Sequence, residues 1–294
     1  MSKNRVNVVI GPTASGKSAH ALSIQNAVII NCDAMQSYDA LHRLTAQPDN
    51  DERADVPHCL YGFLHPNTHY SAADWRTRAI HEIDKAFNKN MTPILCGGTG
   101  FYLKSLMKGL SPIPEIPDNI RKEAIALQTD LGNPAFHNLL KDKDPKTASR
   151  LDPMNTQRLV RAWEVLTHTR KPLAEWQDMP LIPPPSNYEF HVTAIIPPRE
   201  KLYENINART HIMLDHGVLD EVTSLDERIQ NGEVDDEALI VKAHGFRPFR
   251  KYLNKEWALD DAIKQTQTET RQYAKRQMTW LRNQIDIDIV IETT

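Results

Sequence analysis

The apolar positions of this chain follow two rhythms. Short runs of strand length appear at Val6, Val8, Val9 and Ile10, at Ala27-Val28-Ile29-Ile30 and at Pro93-Ile94-Leu95-Cys96, and Glu189 to Ile196 makes a fourth that Pro197-Pro198 stops. Nearly continuous apolar strands of this kind are covered on both faces, as in parallel sheets. Elsewhere the spacing is three to four. Trp75, Ile80, Ile83 and Phe87 follow a capping Ser71, and Leu159, Trp163 and Leu166 mark one face of Met154 to His168. Leu202, Ile206, Ile212 and Met213 are read as the inner positions of a helix from Arg199 to about Gly217, and Asp260 to Arg282 makes another long helix. Ala19 to Gln25, Asp118 to Leu131 and Pro134 to Asp142 are also read as helical. The polar, proline-punctuated stretch from Leu41 to His69 reads as loop, and Ile285 to Ile291 as a last short strand. Strands alternating with helices predict an open parallel α/β sheet with helices on both faces.

Prolines divide the chain. Pro112, Pro114 and Pro117 open a helical stretch that Pro180, Pro183, Pro184 and Pro185 close. The expected organisation is an α/β core from residues 1–110 and 188–294, interrupted by a helical insertion at 111–187.

Composition adds limits. With 294 residues, 40% hydrophobic and 25% charged, the chain can bury a large core. No run of about 18 apolar residues spans a membrane, and the first strand begins without a signal-peptide core. Cys32, Cys59 and Cys96 are odd in number and scattered, which suits reduced thiols in a cytoplasm. The net charge of −3 argues against nucleic acid until its distribution is read. Asp215 to Glu237 carries a balance of −8, Lys264 to Arg282 one of +4 and Asp142 to Lys171 one of +3. Segregated basic flanks let a polyanion dock on one side, although single charge runs are commonly solvated helix faces. On the long C-terminal helix, Arg271, Lys275 and Arg282 share a side opposite Tyr273 and Trp280.

The sharpest chemical signal is Gly11-Pro12-Thr13-Ala14-Ser15-Gly16-Lys17-Ser18, between the first strand and the first helix. It fits G-x-x-x-x-G-K-[ST], a loop whose N–H groups turn inward around phosphates while Lys17 adds a point charge and Ser18 holds Mg²⁺ on them. Asp33, with Gln36 and Tyr38 beyond it, stands at the carboxyl end of the second strand, where parallel sheets bind ligands. It is read as an active-site carboxylate, a helix N-cap being the plainer role and compatible with the first. The third strand ends in Gly97-Gly98-Thr99-Gly100. An ATP-hydrolysing motor ends such a strand in an acid for its metal, and glycine there favours a group-transferring enzyme.

Further motifs make the pattern specific: Thr45-Ala46 before Pro48; Gly97-Gly98-Thr99-Gly100-Phe101-Tyr102; Asp152-Pro153-Met154-Asn155-Thr156-Gln157-Arg158-Leu159-Val160-Arg161-Ala162; and Arg271-Gln272-Tyr273-Ala274-Lys275-Arg276-Gln277. In this order the chain resembles the bacterial tRNA dimethylallyltransferases, or tRNA isopentenyltransferases, over nearly its whole length. It departs from that family's usual pattern at Ala34 (usually Ser), Gln47 (usually Lys) and His244 (usually Ile).

The resemblance implies transfer of a dimethylallyl group from dimethylallyl diphosphate to N6 of the adenosine 3′-adjacent to the anticodon, releasing pyrophosphate, with Mg²⁺. It gives the diphosphate to Gly11 through Ser18, the proton of N6 to Asp33, and the departing pyrophosphate to Thr99 and Arg209. It further implies tRNA contacts at Asp33, Ala34, Met35 and Gln36 and at Gln157, Arg158, Leu159, Val160 and Arg161, the insertion embracing the anticodon arm. Arg271 and Lys275 are read as phosphate contacts from the basic stripe. A cytoplasmic monomer without membrane contact is expected. The competing reading is an ATP-dependent small-molecule kinase, with Asp33 deprotonating a hydroxyl.

Overall fold

A computed structural model describes residues 3–293. The chain divides into two compact units, Met1–Met107 with Pro184–Thr294, and Lys108–Pro183. In chain order the first unit begins with β1 (Asn4–Ile10), α1 (Lys17–Leu22), β2 (Ala27–Asn31), α2 (Asn50–Asp55), β3 (His58–Cys59), α3 (Ala72–Asn88), β4 (Thr92–Gly97) and α4 (Gly100–Met107). The second unit holds α5 (Asp118–Lys143), α6 (Pro145–Ala148), α7 (Thr156–Thr169) and α8 (Leu173–Asp178). The first then resumes with β5 (Tyr188–Ile195), α9 (Arg199–Asp215), α10 (Val218–Gln230), α11 (Phe246–Leu253), α12 (Leu259–Gln284) and β6 (Ile289–Ile291).

The sheet is parallel throughout, in the order β3-β2-β4-β1-β5-β6. Side chains alternate between its faces, as period two requires. Val6, Val8, Ile10, Val28, Ile30, Leu95, Val192 and Ala194 join the larger core with α3, α4, α10, α11 and α12. Val9, Ile29, Ile94, Cys96 and Ile195 face the other way, under Ala21 and Leu22 of α1. Both faces are therefore dry, which is why the strands read as unbroken apolar runs.

The predicted strands and long helices are present, with shifted ends. Ser71 caps α3 in a reciprocal box with Asp74, and Trp75, Ala79 and Ile83 are wholly buried behind it. Two readings change. Leu41 to His69 is not all loop, since Asp49 and Glu52 form a capping box on α2 and His58–Cys59 adds an edge strand. Ile212 is 52% exposed, whereas Leu202, Ile206 and Thr210 are buried. At 100° per residue Ile212 lies about 120° from Ile206, off the inner face.

The second unit has its own core, in which Phe136, Leu140, Leu159, Ala162 and Val165 pack together. Its α5 breaks at Gly132, whose φ of 71° and ψ of 163° end one helix before Pro134 starts the next. Its two ends are tied by a pair of backbone hydrogen bonds, Leu110 N–H to Ile182 O at 3.2 Å and Ile182 N–H to Leu110 O at 2.8 Å.

Candidate active site

Three neighbouring strands, β2, β4 and β1, end at one edge of the sheet, and each carries part of the sequence's chemistry there. From β1 the chain enters the Gly11–Ser18 loop. Its first glycine cannot be replaced without rearrangement, because a Cβ at Gly11 would lie 2.5 Å from both Ile195 O and Ser15 Oγ. Ala14 and Gly16 take left-handed backbone, at φ 61° and 89°, an alternation that gathers successive N–H groups into an anion-binding hollow. Ser15 is buried and its hydroxyl has no partner. A buried hydroxyl without a partner is costly, and a phosphate oxygen in the hollow would supply one.

Charge converges on the same spot. Lys17 Nζ donates to Pro12 O at 3.4 Å, and Arg209, from α9, donates to Thr13 Oγ1 at 2.7 Å. Burial lowers the pKa of both, with Arg209 at about 10. Asp33 sits opposite. It is partly open to solvent yet packed round by protein, and burial raises its carboxyl above the ordinary range while the Lys17 ammonium opposes the rise. Two desolvated cations facing one carboxylate leave a net positive recess, which an anion would relieve.

The Asp33 loop is held from below. Asn31, wholly buried at the tip of β2, accepts the Asp33 N–H at 2.7 Å and donates to Asp33 O, Leu60 O and Ser37 Oγ. Its carbonyl accepts the Trp75 indole at 2.7 Å. Asp33 Oδ1 accepts Met35 N–H at 3.0 Å in an Asx-type turn, while the N-cap of the short helical turn Met35–Ser37 is Ala34, so Asp33 is not the helix cap that its position suggests. Thr99 stands beside it, accepting Ala34 N–H on its hydroxyl at 3.0 Å and donating its own N–H to Cys32 O. Ala34 thus contributes its N–H and needs no hydroxyl. Gln36 spends its amide nitrogen on Thr45 O and Ala46 O, and Gln47 spends its own on Tyr38 O. His244 packs its ring against Tyr273, 5.0 Å between centroids.

Ser18 is exposed at the start of α1, and the Cys96 thiol beside it is pushed up to about 11, chiefly by burial. Mg²⁺ takes one or two protein oxygens and fills its octahedron with water and phosphate. A lone hydroxyl beside a phosphate hollow fits that demand, and no group of three or more His, Cys, Asp or Glu suited to a metal exists among the described residues.

The expected tRNA contacts are distributed unevenly. Gln157 and Arg158 are exposed on the first turn of α7, but Leu159 and Val160 are 0% and 6% exposed. Their side chains belong to the core of the second unit and offer nothing to a ligand. Arg161 Nη1 donates to Glu164 Oε1 at 2.6 Å, the counter-charge of a carboxylate that is itself buried. Arg271 is bound to Asn207 and Thr268 at 2.8 and 2.9 Å. Lys275 is exposed, and with Arg276, Thr279 and Trp280 it lines a groove of ≈ 600 Å³ along α12.

Two residues that sequence reasoning left without a role prove central. Asn31 was legible as the polar end of an apolar strand. Gln277 gave no local signal, because its partners lie at the far end of the chain: its Oε1 accepts Thr13 N–H at 2.9 Å and its Nε2 donates to Gly98 O at 3.0 Å.

Comparison with known proteins gives the chain its family. The IPP transferase family model matches residues 36–284. A tRNA dimethylallyltransferase of Paramagnetospirillum magneticum is 46% identical over 281 residues, 95% of this chain and 88% of that protein. One from Granulibacter bethesdensis is 43% identical over 286 residues, 96% of this chain and 88% of the other. Among solved structures, a eukaryotic dimethylallyltransferase acting on tRNA superposes with a TM-score of 0.79 at 26% identity, covering 95% of this chain and 70% of that one. The tRNA isopentenylpyrophosphate transferase of Bacillus halodurans gives 0.67 at 28% identity, covering 99% and 90%. The phosphate loop and Asp33 precede the span of the family model, while the relatives match 95–96% of the chain. On that joint ground of sequence and fold, the chain belongs to the IPP transferase family.

Proposed function

We propose that the chain moves a dimethylallyl group from dimethylallyl diphosphate to the exocyclic N6 of the adenosine 3′-adjacent to the anticodon in tRNA, releasing pyrophosphate. The observation that carries the reading is the meeting of Lys17, Arg209 and Asp33 in one recess at the strand ends. An allylic diphosphate leaves when its growing charge is met by fixed cations, and an aromatic amine attacks better when a carboxylate takes its proton. In the step, the N6–C1 bond forms as the C1–O bond to the diphosphate breaks. Pyrophosphate departs toward Lys17 and Arg209, and the N6 proton passes to Asp33. Thr99, whose hydroxyl meets Ala34 N–H and the Tyr273 hydroxyl, steadies the pyrophosphate or the attacking amine. Mg²⁺ would be held by Ser18 and would supply further positive charge on the phosphate oxygens. The adenine must leave the loop's stack to reach the recess, and an anticodon loop presents such unstacked bases.

The deciding assay offers labelled dimethylallyl diphosphate and, separately, γ-labelled ATP. Label in tRNA from the first supports prenyl transfer, and label from ATP in a small-molecule acceptor supports the kinase. EDTA should depress the prenyl reaction and added Mg²⁺ restore it; transfer indifferent to both would remove the metal from the scheme.

In the second unit Gln157 and Arg158 are exposed and offered to tRNA, and in the first unit Lys275 is likewise exposed. Arg158→Ala or Lys275→Ala should weaken tRNA binding and make log affinity against log salt shallower by about 0.7–0.9 per residue, with donor affinity unchanged. Arg161→Ala is a poorer probe, since it also removes the nearer of the two guanidiniums on buried Glu164, leaving Arg121 at 3.8 Å, and should lower the melting temperature. An unaltered slope in both clean variants would put the docking surface elsewhere. No helix among the described residues is long and apolar enough to cross a membrane, and the three cysteines are free, which supports a cytoplasmic enzyme. Sedimentation would test the expected monomer.

A further inference from the structure

α12 reaches the active site with Tyr273, which meets the Thr99 hydroxyl, and with Gln277, which ties two of its loops together. Gln277 is 6% exposed, and each end of its amide is committed to a different half of the chemistry. Oε1 takes the N–H of Thr13, inside the loop that the proposed function assigns to the diphosphate. Nε2 grips the carbonyl of Gly98, in the turn that carries Thr99 and abuts Asp33. Both of these partners are backbone groups, so the clip fixes main-chain positions, while the Tyr273 hydroxyl, one turn earlier on α12, is a further side-chain partner of the same amide. A Cβ on Gly98 would fall 2.2 Å from Gln277 Nε2 and 3.6 Å from Asp33 Oδ2, so glycine leaves room for the amide and the carboxylate on the same side of the turn. Thr13 is also held on its hydroxyl by Arg209. The same threonine therefore links the leaving-group cation to the clip.

We infer that Gln277 is a positioning residue that sets the distance between the donor's leaving group and the acceptor's proton-accepting carboxylate. The inference rests on the prenyl-transfer reading above and deepens it. An in-line displacement needs the nucleophile, C1 and the departing oxygen aligned, and β1 and β4 pair only as far as Ile10 and Gly97. Beyond that register no strand hydrogen bond ties the two loops together. The Gln277 amide replaces the missing rungs, one bond to each loop. Neither bond touches substrate, so removing them should leave both substrates bound and disturb only their mutual placement. Misplacement of about 1 Å costs on the order of 10²-fold in rate.

The test uses the full chain with tRNA and dimethylallyl diphosphate. Gln277→Met preserves volume and removes both backbone hydrogen bonds together with the one to Tyr273, and Gln277→Ala removes volume as well. Gln277→Met should lower kcat on the order of 10²-fold with KM for each substrate within about threefold and the melting temperature close to wild type. Gly98→Ala, which drives the amide off its carbonyl, should produce a comparable loss. Combining it with Gln277→Met should add little, because both break one linkage. Near-normal kcat in Gln277→Met, or a loss confined to either KM, would overturn the inference, as would full additivity of the pair. If Gln277→Ala fails to fold, Gln277→Met decides. A wild-type chain that transfers no prenyl group would instead defeat the proposed function, a result these variants cannot mimic.

Discussion

Asp33→Ala should lower the single-turnover rate of prenyl transfer by about 10²–10⁴-fold, the range for loss of a general base, with tRNA affinity nearly intact. The pH profile adds a signature. Burial raises the Asp33 carboxyl above the ordinary range, and only the ionised form accepts the N6 proton. kcat/KM should therefore fall tenfold per unit as pH drops through that raised pKa, at a higher pH than an exposed carboxylate would give. Lys17 holds the pKa down, so Lys17→Ala should carry the acid limb higher still. A variant lacking Asp33 that keeps both full turnover and the acid limb would remove Asp33 from the chemistry.

Arg209→Ala is expected to cost about 10²–10³-fold in kcat, the scale for deleting one preorganised charge donor. Its guanidinium is already desolvated and anchored on Thr13, so little reorganisation is needed when the C1–O bond breaks. Arg209→Lys should recover only part of the loss, since an ammonium lacks the planar fork that can hold Thr13 and an oxyanion together. Rapid quench with labelled donor would read the chemical step, and equilibrium binding of pyrophosphate would read the charge. Unchanged values of both in Arg209→Ala would assign the pyrophosphate to Lys17 alone.

What the sequence disclosed depended on how local the cause was. The phosphate loop is eight consecutive residues, and Asp33 follows directly on an apolar strand, so both were legible. Their meeting at the strand ends was legible too, from the rule that parallel sheets bind ligands there; the order that brings it about, with β4 between β1 and β2, is spelled out by no residue. Ile212 was misplaced because a hydrophobic residue near a helix end was counted as inward against the helical angle. Leu159 and Val160 lay within the stretch that the resemblance assigned to RNA, yet they pack inward. The α2–β3 segment escaped because a six-residue helix and a two-residue edge strand leave almost no periodicity. Gln277 escaped because an amide tying residues 13 and 98 looks, in sequence, like any polar residue on a helix.

The paired bonds between Leu110 and Ile182 bear on the order in which the chain assembles. β5 must find β1, and residues 4 and 188 are register partners in that pairing. For an unstructured chain such closure is slow, since entropy is lost across the whole intervening length before any contact repays it. Once the second unit has folded around its own core, its two ends lie a hydrogen bond apart. The long connection from β4 to β5 then behaves as a short one. Early formation of the insertion would thus hasten the completion of the sheet into which it interrupts, and slowing its folding should delay the burial of β5 more than that of β2.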